Sequence, residues 1–268
     1  KTHPIELTID SGSIRGEYLT IGANTIGANE FAVFKGIPYA APPVGSLRFQ
    51  MPEPPAKWRG VMNASQYPPQ MPEPPAKWRG VMNASQYPPM MCAQRPRDRK
   101  VDPVKLYKIH VSEDCLYLNL FAPSQCQCQF TNDTYPVIVW VHGGRFQYGS
   151  SADYPQNAIL NNFVSRKAIF VSVNYRLGPM GFLSTGDSVL PGNLGLWDLM
   201  LSLKWVQINA HVFGGDPNNV MMMGHGSGAS AVSLLMGHGS GASAVSLLAL
   251  SPKAEGKSKR MNEKRTKH

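Results

Sequence analysis

A continuous apolar run, Val137 to Val141 (VIVWV), ends abruptly in His142-Gly143-Gly144. A run this short, with no polar alternation, suits a strand buried on both faces, and the glycine pair suits a tight turn at its end. Ala168 to Val173 (AIFVSV) has the same character, and Asn157 to Arg166 between them is a predicted helix. Further on, Trp197 to Ala210 sets Leu199, Met200, Leu203 and Val206 at helical spacing, with Asp198 near the start, where the helix dipole favours an anion. GGDPNN then predicts a turn, Val220 to Met223 a short strand, and a glycine cluster the opening of another helix. Strand, helix, strand, helix predicts parallel strands joined by right-handed crossovers. That is an α/β sheet with ligands at the carboxyl ends of its strands.

The N-terminal part reads differently. Ile5 to Asp10 and Ile14 to Thr20 alternate loosely and predict a hairpin joined by SGS, and Leu116 to Phe121 predicts a strand. From Tyr39 to Pro55 the prolines remove ladder donors, so this stretch is loop.

Two segments recur without change: 50–69 as 70–89, and 223–235 as 236–248. Solenoid repeats come in threes or more and diverge, because each copy meets different neighbours. These pairs therefore read as duplicated exon ends or assembly errors, and Gly237, Gly239 and Gly241 would interrupt any helix running through the second pair.

The net charge of +9 raises the question of nucleic acid. Residues 252–268 hold seven Lys/Arg against two Glu, so more than half of the excess lies in one terminal run, which reads as a solvated, disordered tail. No zinc-finger spacing, aromatic-interleaved basic stripe or Walker loop accompanies it, so neither nucleic acid nor a metal is expected. No cofactor is expected either. No apolar run approaches the ~20 residues of a membrane span. Lys1 comes first with no basic-then-apolar leader, so the numbering is expected to begin at a mature terminus or a fragment boundary.

Four cysteines (Cys92, Cys115, Cys126, Cys128) and three sequons (Asn63, Asn83, Asn132) fit an oxidising, secreted or extracellular compartment. Cys126 and Cys128 sit in a polar stretch that reads as a surface loop. Glu113, Asp114 and Arg176 are expected to form structural ion pairs, and Asp216, followed by Pro217, to shape a turn.

In order along the chain stand FKGIPY (34–39), APPVGSLRF, WRG, YPP, SEDCLYLNLF (112–121), VHGGRF, NYRLGPMGFLSTGD, GNLGLWD and FGGDPNNV. This series resembles the type-B carboxylesterase and cholinesterase-like family of α/β-hydrolases, from the N-terminus to about Ser251. The family includes carboxylesterases, cholinesterases and inactive adhesion relatives such as neuroligins. The resemblance implies an α/β-hydrolase fold, with only the N-terminal half of its sheet, over residues 1–251. It also implies a disulfide between Cys92 and Cys115.

The family's active site is a Ser-Glu/Asp-His triad with a glycine oxyanion hole. Gly143 and Gly144 match the oxyanion glycines, and Ser227 would add the N–H that follows the nucleophile. The nucleophile belongs in G-x-S-x-G, where flanking glycines let a strand-to-helix turn close tightly. An ungapped match runs from Gly224 through Leu235 and puts Gly226 at the nucleophile position. Ser227 is the runner-up, flanked at that spacing by His225 and Ala229 instead of glycines. The family's acidic member and histidine lie downstream of the elbow, where this chain leaves the pattern after SPKAEG. None of His3, His110, His142, His211, His225, His238 and His268 matches the base.

The expectation is a catalytically inactive domain, with no intact catalytic residue, whose full-length form binds a protein partner outside the cell and is either secreted or membrane-anchored. The alternative is a fragment of an active serine carboxylic-ester hydrolase, with an ester substrate. A structural fragment without a partner is a third reading.

Overall fold

The computed structural model describes residues 2–21, 29–65, 90–94, 110–124 and 134–237. The second copies of both repeats fall outside these residues, apart from Met236 and Gly237. So do Asn83, Cys126, Cys128, Asn132, His238, His268 and the basic tail.

Three strands come first: β1 (Thr2–Ile9), β2 (Gly12–Ile21) and β3 (Asn29–Pro38). β1 and β2 form the expected hairpin, but its turn is Asp10-Ser11, because Ile9 already faces Gly12 in the ladder. β3 went unpredicted; it lies antiparallel to β2 and buries Phe31, Ala32, Val33, Phe34 and Ile37. A short β4 (Val61–Asn63) runs alongside β2, and Tyr39 to Pro55 is loop with one 3₁₀ turn at Gly45–Leu47. β5 (Met90–Cys92) and β6 (His110–Ser112) make a small parallel pair of their own.

The remaining elements are β7 (Tyr117–Pro123), β8 (Tyr135–Val141), α1 (Gln156–Asn162), β9 (Ile169–Val173), α2 (Gly178–Phe182), α3 (Leu194–Asn209), β10 (Gly215–Gly224) and α4 (Ser227–Gly237). Their sheet runs β1-β2-β3-β7-β9-β8-β10. β9, β8 and β10 pair in parallel, whereas β7 joins β9 antiparallel, so the expected parallel sheet is one part of a mixed one. This agrees with apolar continuity: every residue of β9 is buried, as a strand covered on both faces must be. Alternation then divides its residues between two cores. Ile169, Val171 and Val173 join the larger cluster with α3 and α4, and Phe170 packs with Ile159, Leu160 and Val164 of α1 and the turn after it.

Three expectations need correction. The α3 helix begins three residues before Trp197, so Asp198 lies in its second turn, wholly buried, and caps nothing. Its partner is Arg176, which reaches both carboxylate oxygens (Nε 2.9 Å, Nη2 2.7 Å), while Glu113 pairs with Arg48 instead. The GGDPNN segment belongs largely to β10: Gly215 pairs with Tyr135, the register then slips, and pairing resumes at Val220. Within the slip, the Asp216 carboxylate accepts the Asn218 N–H, the Asx-type turn expected of it. Burial pushes the Asp198 carboxyl above its usual range, and the Arg176 guanidinium pulls it back.

Candidate active site

The parallel strands β8 and β10 are neighbours, so the turns that follow them emerge side by side at the carboxyl end of the sheet. The first turn holds Gly143 and Gly144, the second His225 and Gly226. Their backbones lie in contact. A Cβ on Gly143 would overlap the His225 carbonyl oxygen, and one on Gly228 would overlap the carbonyls of Val141 and His142. On Gly224 it would strike the backbone of Gly228 itself. Glycine at 224 and 228 is therefore what lets strand pass to helix within so few residues.

Between those two glycines, Gly226 behaves differently. Its φ is +56°, a left-handed conformation that side chains rarely adopt, yet a Cβ there would meet nothing within 4 Å. The position is exposed, on the crest of the turn. Ser227 is already the first residue of α4. Its hydroxyl accepts the Phe146 N–H (3.2 Å) and is hydrogen-bonded to Tyr175, whose own hydroxyl donates to the His142 carbonyl (2.8 Å). Ser227 thus latches the helix to the first turn.

That first turn is held from several sides. Gln94 bonds both ways to Gly149, accepting its N–H (2.8 Å) and donating to its carbonyl (3.1 Å). Gln94 lies two residues past Cys92, which is disulfide-bonded to Cys115. The Phe146 carbonyl accepts the Gly178 N–H (2.6 Å). His142 is buried, stacked on Tyr175, and its Nδ1 meets the Gly143 carbonyl at 2.9 Å. Burial lowers its pKa to about 4, so it is neutral at neutral pH and a poor general base. The N–H groups of Gly143, Gly144 and Ser227 find no acceptor among the described residues.

The other described histidines lie elsewhere or pack against the first turn. His3 is on β1 beside Glu30, His110 on β6, and His211 in the 3₁₀ turn after α3. His225 adjoins Gly226 but packs against Gly143. Asn63 is at the end of β4, where its side-chain oxygen accepts the N–H and hydroxyl of Ser65 within the same sequon. Gln94, Tyr175 and Arg145 were not foreseen as parts of the site. Gln94 carries no sequence signal beyond its closeness to Cys92, whereas Arg145 stands directly after the glycine pair.

A family model described as the carboxylesterase family matches residues 3–71 and 70–236. The chain belongs to the carboxylesterase family. The match restarts at Gln70, the first residue of the second copy of the first repeat, and stops at Met236, the first residue of the second copy of the second repeat. Among curated relatives, the medium-chain fatty acyl-CoA hydrolase precursor of Anas platyrhynchos is 36% identical over 235 residues, covering 88% of this chain and 38% of that protein. Carboxylesterase 4A of Bos taurus is 38% identical over 227 residues, covering 83% and 36%. A solved structure of PNB esterase superposes with a TM-score of 0.65 at 35% identity, covering 86% of this chain and 40% of that one. This carboxylesterase-family chain thus has the α/β-hydrolase fold and spans well under half the length of these relatives.

Proposed function

We propose that this carboxylesterase-family domain does not hydrolyse esters, because Gly226 occupies the nucleophile position, and that its full-length form acts by binding a partner outside the cell. The observation that carries the reading is the pairing of crowded glycines at 224 and 228 around an open, left-handed residue at 226. That is the stereochemistry a nucleophile elbow requires, with no side chain on its crest. Ser227 is a poor substitute, since its hydroxyl is spent on Phe146 and Tyr175. The donors of Gly143, Gly144 and Ser227 fit an oxyanion hole retained without its reaction. The Cys92–Cys115 bridge and the sequon at Asn63 support a secretory route. Among the described residues, no helix is long and apolar enough to cross a membrane.

Incubation of the purified chain with a fluorophosphonate probe tests this. No covalent adduct is expected; stoichiometric labelling at Ser227 would overturn the reading. The second reading, a portion of an active ester hydrolase, rests on the names of the relatives. It would gain if a longer transcript carried serine at position 226.

A further inference from the structure

The segment that leads into β4 is seated on the first hairpin by a dense set of contacts. The Glu53 carbonyl accepts the Ala41 N–H (2.8 Å). Trp58 donates its backbone N–H to the Ser11 carbonyl (2.9 Å) and its indole N–H to the Ser13 carbonyl (2.9 Å). Its ring lies where a Cβ on Gly12 would stand. Lys57 reaches the Asp10 carboxylate (3.7 Å), and β4 pairs with Ser13, Ile14 and Arg15. Ala64, fully buried, donates its N–H to the Arg15 carbonyl and accepts the Lys35 N–H. All the seated groups lie within residues 53–64, and the same residues recur in the same order over 73–84.

A groove that holds Lys57, Trp58 and residues 61–63 therefore cannot distinguish them by contact from Lys77, Trp78 and residues 81–83. Only the connections differ. With the first copy seated, residues 65–89 lead on to β5; with the second, residues 85–89 do, and the twenty extra residues come before the groove. Closure entropy grows only as the logarithm of loop length, so moving the same residues between connectors shifts the balance modestly. The family match takes in the first copy from its N-terminal side and runs from Gln70 through β5 as a second block. Each copy is thus in register with one flank. We propose that the two copies compete within one molecule for this single groove, giving the protein two interchangeable seatings, residues 53–64 or residues 73–84. The proposal does not depend on whether position 226 reacts.

Carbodiimide coupling of the full chain tests it, because the reagent joins a carboxylate to an amine across a contact such as that of Asp10 with Lys57. Tryptic peptides containing the two lysines start after Arg48 and after Arg59, so mapping tells the products apart. Both the Asp10–Lys57 and the Asp10–Lys77 amide are expected in monomeric protein. Trp58→Ala should move the ratio toward Lys77 and Trp78→Ala toward Lys57, each by roughly tenfold or more, as loss of a half-buried indole and its hydrogen bond implies. In urea unfolding the double variant should lose far more than the two single variants together, since either copy stands in for the other. One amide only in the parent, or a ratio that neither substitution moves, would overturn the proposal. So would equal losses in Trp58→Ala and the double variant. An Asp10–Lys77 amide confined to covalent dimers would overturn it too, by placing the second copy on a neighbouring molecule.

Discussion

The turn after β8 and the turn after β10 lie against each other and are both built on glycine, yet different forces hold them. Residues 142–149 are gripped by groups outside the turn: Gln94 on Gly149, Ser227 and Gly178 on Phe146, and Tyr175 stacked on His142. Residues 224–228 keep their shape through backbone crowding, with Gly224 closed onto Gly228 and Gly228 onto the carbonyls of Val141 and His142. The first turn offers main-chain N–H groups, which any sequence that folds there retains. The second turn would need one hydroxyl on its crest. Electrostatic stabilisation by backbone is thus a property of the fold, while nucleophilic chemistry depends on one side chain, so under the function proposed above it would be lost without disturbing the fold.

If both turns stand on a common scaffold, the largest effect should come from beneath them. Arg176 follows β9, bonds Asp198 on α3 and also donates to the Gln50 carbonyl (2.8 Å). Asp198→Ala leaves a buried guanidinium uncompensated and should cost about 3–5 kcal/mol in urea unfolding. Glu113→Ala, which removes the partner of the more exposed Arg48, should cost no more than about 1 kcal/mol. Comparable losses for the two would show that the buried pair does not support the site.

A second test uses pH to separate the turns, since only the first contains a buried titrating group. The folded pKa of His142, about 4, lies below the ordinary 6.5, so the unfolded chain binds more protons between those values. The stability this contributes is complete above pH 6.5 and is lost as the pH falls toward 4, up to roughly 3 kcal/mol. His142→Asn should flatten that part of the stability profile. An unchanged slope would place the acid sensitivity elsewhere.

The parallel half of this arrangement was legible because its strands leave unbroken apolar runs, although only β9 is buried on both faces; in β8 Ile138 and Trp140 are half-buried and Pro136 is exposed. The N-terminal half was less so. β3 contains Lys35 and Gly36, and its ladder with β7 shifts register between Phe34 and Ile37, so no clean alternation survives. The start of α3 was missed because Asn193, in a left-handed conformation, makes no side-chain cap. Ion pairs spanning 22 and 65 positions, and the Gln94 clamp spanning 55, have no local pattern at all. In the site, the positions of Gly143, Gly144 and Gly226 were set by motif spacing. What spacing could not convey is how crowded each glycine is, because that depends on the other turn.

Crowding yields the third prediction. Gly228→Ala puts a Cβ onto two backbone carbonyls, of Val141 at the end of β8 and of His142 just after it, and neither can swing aside as a side-chain tip would. Overpacking of this kind costs about 3 kcal/mol at the upper end of its usual range. The melt should shift accordingly, and both turns should loosen together. A silent substitution would mean that backbone contact does not hold the second turn.

Of the two glycine substitutions, the smaller effect is expected at Gly226, and it discriminates most between shape and chemistry. A serine Cβ there enters open space, so no packing term opposes it; the left-handed φ remains, at a cost of roughly 1–2 kcal/mol. Gly226→Ser should therefore fold and melt only slightly below the parent, unlike Gly228→Ala two residues away. It should still not react with a fluorophosphonate. The new hydroxyl would stand on the open crest of the turn, but a serine needs a base to accept its proton. His142 is buried, neutral and bonded to the Gly143 carbonyl, while His225 packs against Gly143. Rapid stoichiometric labelling of this variant would show that a base does reach the elbow and that only the hydroxyl was missing. Severe unfolding would instead show that glycine at 226 is required for shape, and the contrast between the two turns would fail.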